Sequence, residues 1–373
     1  MSKTIPLFDL NRTYRPLRKK ILKAIERVCD SQQLVMGPVV EKFEKNIASY
    51  CKSPHAVSVS CGTEALRMAL MVKRIGPGDE VITTPMTFVA TAEAIALVGA
   101  KPVFCDIDPL TYNLDPACVE KKITPKTKAI IAVHLYGHMG GIEAIKKICQ
   151  RRKIMLIEDC AQAIGAKDSW GHPAGSIGEM GCFSFYPTKN LGGFGDGGMI
   201  TAKTASTVKQ LKLLRDHGAS KKYVSTIVGM NARLDAIQAA VLDIKLTTLN
   251  QELVQRERLA KNYQNLFHDA NLSDCIQIPF VQPGFVHVYH LYVLRAKKRE
   301  QLKQHLDKNN IHSGVYYPIP LHLQKCFASL KYKKGSLPEA EHLAQEVLAI
   351  PFFPGLRAEE QKRVVHTIQK FYS

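Results

Sequence analysis

Between residues 55 and 220, short runs rich in Val and Ile alternate with stretches of helical periodicity. "HAVSVS" (55–60) is followed by "GTEALRMALMVK", and "EVITT" (80–84) by "VATAEAIALVG". "KPVFCDID", "KAIIAVHLY" and "KIMLIED" read as further buried strands, with helical segments between most of them. Such apolar runs, separated by helices, predict an α/β fold with a mostly parallel sheet covered on both faces. Upstream, "YRPLRKKILKAIER" places Leu17, Ile21, Ile25 and Val28 near one face of an amphipathic helix. "DAIQAAVLDIKLTTLNQELVQRERLAKNYQNLF" predicts one or more long helices. It leads into "HVYHLYVLRA", read as a strand, then a helix, "GVYYPIPLH" and a final helix. This change of texture divides the chain into a large domain, residues 1–250, and a smaller α/β domain, residues 251–373.

Composition narrows the partners. The chain has 373 residues, 46% hydrophobic and 23% charged, with a formal net charge of +18. That excess suits nucleic acid, a phosphorylated cofactor or a nucleotide-linked substrate, and equally a solvated basic surface, because the lysines are widely spread. No apolar run approaches the length of a membrane span, and "MSKTIPLFDL" lacks the pattern of a signal peptide, so the expectation is a cytoplasmic protein. The ten cysteines are scattered without C-x-x-C spacing, which predicts reduced thiols and no metal site.

Four segments carry candidate chemistry. Asp159 ends the strand "KIMLIED", where a buried carboxylate requires a partner. It either caps the following turn or pairs with a cationic ring nitrogen, as the pyridine of pyridoxal phosphate demands. Gln162 lies within reach of a neighbouring ring oxygen. In "SCGTEAL" a strand ends and Gly62-Thr63 opens a helix, which serves simple capping or a phosphate. Phe88, just past the next strand, is core or a stacking platform for a flat ring. Lys189 stands between aromatic Phe183, Phe185 and Tyr186 and a run of glycines; it is either surface charge or a desolvated amine able to condense with an aldehyde. Gly193–Gly198 satisfies G-x-G-x-x-G, but these glycines follow an irregular segment and run into the strand-like "GGMITA". A dinucleotide turn requires the reverse, a strand before and a helix after.

In this order, "PLFDL", "MGPVVEKFEKNIASYC", "SCGTEAL", "GDEVITTPMTFVATAEAI", "VHLYGH", "IEDCAQAIGA", "FSFYPTKNLGGFGDGG", "GMNARLDAIQAAVL", "HLYVLR" and "YYPIPLHLQ" resemble the DegT/DnrJ/EryC/StrS sugar aminotransferases almost end to end. The resemblance implies the fold-type I architecture, a seven-stranded sheet in a cofactor-binding large domain, and pyridoxal 5'-phosphate as cofactor. It implies that Lys189 holds the cofactor and moves the proton, Asp159 meets the ring nitrogen, Gln162 the ring hydroxyl and Phe88 the ring face. Gly62, Thr63 and Ser184 would bind the phosphate, with Asn231 reaching it from a neighbouring subunit of a homodimer. Arg233, Tyr317 and His322 would approach the substrate. Lysine rather than histidine at position 189 favours aminotransferases over the dehydratases of the same group. Departures from the family pattern include "YGHMGG", Cys61 and Cys160.

The expected reaction moves an amino group from L-glutamate to a keto-sugar linked to a nucleoside diphosphate, with C3 slightly favoured over C4 through "VYYPIPLH". Two rivals predict different behaviour: an NAD-dependent nucleotide-sugar oxidoreductase using Gly193–Gly198, and a basic nucleic-acid-binding protein that kept the fold without the activity. The constellation around Lys189 argues against both, so neither nucleic acid nor a membrane is an expected partner.

Overall fold

The computed structural model describes residues 4–373. The strands β1 (His55–Val59), β2 (Glu80–Thr83), β3 (Lys101–Phe104), β4 (Thr127–Val133), β5 (Met155–Asp159), β6 (Met180–Ser184) and β7 (Gly198–Ala202) form one sheet in the order β1-β7-β6-β5-β4-β2-β3. Neighbours from β3 through β6 are parallel, and β7 runs antiparallel to both β1 and β6. All but β7 therefore end on the same edge.

Successive side chains of a strand face opposite sides, and here each side has its own core. Ile130, Ala132 and Leu156 pack in one cluster with Phe43, Ile47, Ile145 and Leu242, while Ala129, Ile131 and Ile157 pack in the other with Leu66, Leu70, Ile95 and Leu211. Two-sided burial is why the strands read as continuous apolar runs. The N-terminal helix, Asn11–Ser31, buries Leu17, Ile21 and Val28 as its periodicity predicts, and Leu17 and Ile21 meet Val241. The helical stretch after residue 235 is two helices, Ala236–Leu246 and Leu249–Asp269. They divide at Thr247 and Thr248, whose hydroxyls donate back to the Ile244 (2.7 Å) and Lys245 (3.1 Å) carbonyls, the back-bonding that weakens a helix.

A short hairpin, β8 (Ala219–Lys221) with β9 (Val224–Ser225), precedes these helices. Beyond them, β10 (Ile276–Gln277), β11 (Tyr292–Ala296) and β12 (Val347–Ile350) make a three-stranded antiparallel sheet over a core that includes Tyr263, Tyr292 and Phe352. Only the second half of "HVYHLYVLRA" is strand; the first half lies against the large sheet's loops, Val288 N–H donating to Gly137 O (3.0 Å) and His290 N–H to Tyr136 O (2.8 Å). "GVYYPIPLH" is irregular, and β12 is a strand the periodicity does not announce. Among the described residues, no helix is long and apolar enough to cross a membrane.

Candidate active site

The loops leaving the C-terminal ends of β1, β2, β4, β5 and β6 converge on a cavity of about 610 Å³. This is where parallel α/β sheets place their ligands. Gly62, Thr63, Phe88, Asp159, Gln162, Ser184, Lys189 and Tyr317 all line it. These eight positions come from five separate segments of the sequence.

Asp159 is the last residue of β5 and 5% exposed. Its Oδ2 accepts from Thr91 Oγ1 (2.8 Å) and its Oδ1 from Ala161 N–H (3.1 Å). Burial pushes its pKa up, and Thr91, Ala161 and the charge of Lys189 only partly compensate. The carboxylate thus lacks a full cationic partner in the protein and is suited to receive one. Lys189 shows the converse shift. Burial lowers its pKa to about 8, against the opposing pull of Asp159, so near neutral pH a usable fraction of the amine is unprotonated.

Gln162 is held at both ends of its amide. Oε1 accepts from Tyr136 N–H (2.7 Å) and Nε2 donates to the Tyr317 hydroxyl (3.2 Å). Phe88 is 56% exposed, with its ring centroid 6.1 Å from that of Tyr317. An exposed aromatic on a cavity wall is available to cover a flat ring. Opposite, Gly62 opens the helix Gly62–Val72, and Cys61 Sγ caps it by accepting from Glu64 N–H (3.5 Å). A Cβ at Gly62 would come within 2.8 Å of the Ser184 Cβ. The bare backbone there brings a helix N-terminus and two hydroxyl side chains, Thr63 and Ser184, to one corner of the cavity, an arrangement that suits phosphate.

Gly193–Gly198 is no dinucleotide turn. Gly198 begins β7, and no helix starts in the segment. A Cβ at Gly198 would lie 2.4 Å from the Cys61 carbonyl oxygen, so this glycine permits β7 to approach the loop that carries Gly62.

Three expected residues stand outside the cavity. Asn231 is exposed, its backbone bridged to Asp216. Arg233 forms an ion pair with the same Asp216 (2.5 Å). His322 is buried, with Nε2 3.0 Å from Glu341 Oε1; the substrate contact implied for it finds no support in this geometry.

Other lining residues carry no local sequence signal. Thr91 lies one helical turn from Thr87, to whose hydroxyl it is bonded (2.9 Å). His290 is buried in the cavity wall and held neutral by burial and by the charges of Lys189 and Arg256. His134 lines the cavity and meets Glu158 Oε2 through Nε2 (2.9 Å). The sign that pointed to Asp159, a carboxylate in an apolar strand, applied equally to Glu158.

The model of the DegT/DnrJ/EryC1/StrS aminotransferase family matches residues 16–369. The chain is 46% identical to the "Pleiotropic regulatory protein" of Geobacillus stearothermophilus, covering 99% of this chain and 98% of that one. It is 41% identical to the UDP-N-acetyl-3-dehydro-alpha-D-glucosamine 3-aminotransferase of Acidithiobacillus ferrooxidans, over 98% and 97% of the two chains. The crystal structure of S. venezuelae DesV in complex with a ketimine intermediate superposes with a TM-score of 0.96 at 38% identity, covering 99% of each chain. With these likenesses running nearly end to end, the chain belongs to the DegT/DnrJ/EryC1/StrS aminotransferase family.

Proposed function

We propose that this protein transfers an amino group from L-glutamate to C3 of a keto-sugar carried on a nucleoside diphosphate, with pyridoxal 5'-phosphate as cofactor. The observation that carries the reading is the pairing of Lys189 and Asp159 across one cavity, with pKa values shifted toward each other by burial. The cofactor's ring, once bound, acts as the sink for the electrons left when a substrate C–H bond loses its proton. The residues present fit that group: a desolvated carboxylate awaits a cation, a bare Gly62 backbone faces Ser184, and an exposed Phe88 offers a ring face.

Each side chain then has a task. Asp159 Oδ2, oriented by Thr91, holds a protonated ring nitrogen. Gln162 Nε2 and the Tyr317 hydroxyl present donors to a ring oxygen. Gly62, Thr63 and Ser184 anchor the phosphate. Lys189 Nζ holds the cofactor at rest and, when freed, carries the proton from the donor's carbon and returns one to the sugar's carbon. The His290 imidazole, kept uncharged, leaves that amine without a competing cation beside it.

The preference for C3 is supported by the reaction named for the Acidithiobacillus relative. A homodimer with shared sites is supported by Asn231, which lies exposed outside its own chain's cavity, beside a hairpin whose Tyr223 is 93% exposed. The test supplies the loaded enzyme with glutamate and, separately, 3-keto and 4-keto nucleotide sugars. We expect an amino-sugar product from the 3-keto compound; turnover of the 4-keto compound alone sinks the regiochemistry, and turnover of neither sinks the substrate class.

A further inference from the structure

Immediately after β3 the chain makes an antiparallel excursion that returns beside its start. Asp115 N–H donates to Asp106 O (3.1 Å), Ile107 bridges to Leu114, and Asp108 N–H donates to Asn113 O (2.8 Å). The excursion sets Cys105, just before it, against Cys118, just after it in the helix Pro116–Lys122. Cys105 is fully buried and Cys118 half-buried. Cys118 Sγ accepts from the N–H of Asp106, the residue next to Cys105 (3.2 Å).

An amide donor on a sulfur favours its thiolate. The neighbouring Cys105 thiol, aided by the Asp106 amide and opposed by burial, lowers Cys118 to about 7. Cys105 moves the other way, first because of its neighbour Cys118 and then through burial. Burial also pushes up Cys51, Cys149, Cys160 and Cys182. The pair is therefore an asymmetric dithiol, one sulfur partly open and anionic, the other protonated and enclosed. Neither cysteine lines the active-site cavity.

We propose that Cys105 and Cys118 form an oxidative modification site for hydroperoxides, with Cys118 as the attacking sulfur and Cys105 as the resolving one. The Cys118 thiolate attacks one peroxide oxygen; the O–O bond breaks, leaving a sulfenic acid on Cys118 and an alkoxide or hydroxide that takes up a proton. The Cys105 sulfur then attacks the Cys118 sulfur, the S–O bond breaks, and the Cys105 proton leaves with the oxygen as water. The two thiols lose two electrons and two protons in all, and the peroxide is reduced to an alcohol, or water, plus one water. Two equivalents of a small thiol reverse the bond. The modification would act on a structural seam, because the Asp106 carboxylate accepts from Glu339 N–H (3.0 Å) and Ala340 N–H (2.9 Å) at the start of the helix Pro338–Glu346.

Peptide mapping of the intact protein after brief hydrogen peroxide treatment, under non-reducing conditions, tests this. One Cys105–Cys118 cross-linked species should appear and vanish on adding dithiothreitol. In Cys105→Ser protein, Cys118 should stop at a sulfenic acid that dimedone traps; in Cys118→Ser protein the cross-link should be lost, with no sulfenic acid on Cys105. Modification of wild-type Cys118 should rise about tenfold from pH 6 to pH 8 and then level off, as a thiol near 7 requires. Oxidation at other cysteines before this pair, or a rate that keeps climbing steeply above pH 8, would overturn the assignment. The mapping of unmutated protein stands whether or not the serine variants fold.

Discussion

Glu158 and Asp159 are consecutive carboxylates at the end of β5, both buried, and their environments differ on the two faces of that strand. Glu158 accepts from Gly175 N–H (3.0 Å), Ile177 N–H (2.7 Å), Gly178 N–H (2.8 Å) and His134 Nε2 (2.9 Å). Burial alone would raise its pKa, but these donors, His134 foremost, bring it below the usual carboxylate range. Asp159 has two donors, and there burial wins. The same charge in the same strand is therefore satisfied on one face and left wanting on the other. A saturated carboxylate fastens a loop; an unsaturated one beside a cavity is available to a ligand.

The sharpest break of that contrast comes from the residue opposite Asp159. Lys189→Ala should lower amino transfer by at least about 10³-fold, and borohydride should no longer fix the cofactor to the protein. Wild-type turnover by that variant would contradict the mechanism. Asp159→Asn should lose on the order of 10²-fold in turnover while changing the unfolding free energy of cofactor-free protein by less than about 1 kcal/mol, because it removes a charge that burial already disfavours. Glu158→Ala should do the opposite at the level of stability. Removing one partner of a buried pair costs about 3–5 kcal/mol, read from the urea midpoint of the cofactor-free chain. Equal stability losses for the two variants would erase the distinction drawn here.

Two smaller effects sharpen it. Capture of pyridoxal phosphate by cofactor-free protein requires the neutral Lys189 amine, whose pKa lies near 8. Below that value the deprotonated fraction falls with each unit of acidification, so the capture rate should rise about tenfold per pH unit and level off above about 8, as stopped-flow absorbance can follow. Thr91→Val deletes the hydroxyl that orients Asp159. Its cost should be about 1 kcal/mol, seen as several-fold weaker turnover with an unfolding midpoint close to wild type.

The contrast also marks how far the chain was readable. The strand ending at Asp159, the helix opening at Gly62 and the lysine ahead of the glycines were visible because each depends on neighbours in sequence. Glu158 and Asp159 were indistinguishable there, because what separates them comes from His134 and the 175–178 turn, far away along the chain. The sequence leaves open whether the helical stretch divides, and neither the break at Thr247-Thr248 nor the late strand β12 was legible, for related reasons. One is a local hydroxyl competition inside a favourable periodicity, and the other is four apolar residues that only the pairing with β11 makes a strand. His322 follows a motif that pointed toward substrate, yet the chain folds it onto Glu341.

The lysine segment leaves the sheet at Ser184 and re-enters it at Gly198, residues that face each other in one ladder. Just above them Phe185 N–H donates to Gly197 O (2.7 Å), and Gly193 N–H returns to Phe185 O (2.8 Å). The loop that presents Lys189 is thus closed at its base by the folding of the sheet itself. Its closure entropy is lost when β6 and β7 pair, not when a ligand arrives. A cofactor or substrate meets an amine whose approach is already set, and substitutions that loosen the neck at Gly197 or Gly198, away from Ser184, should weaken binding without touching a single ligand contact.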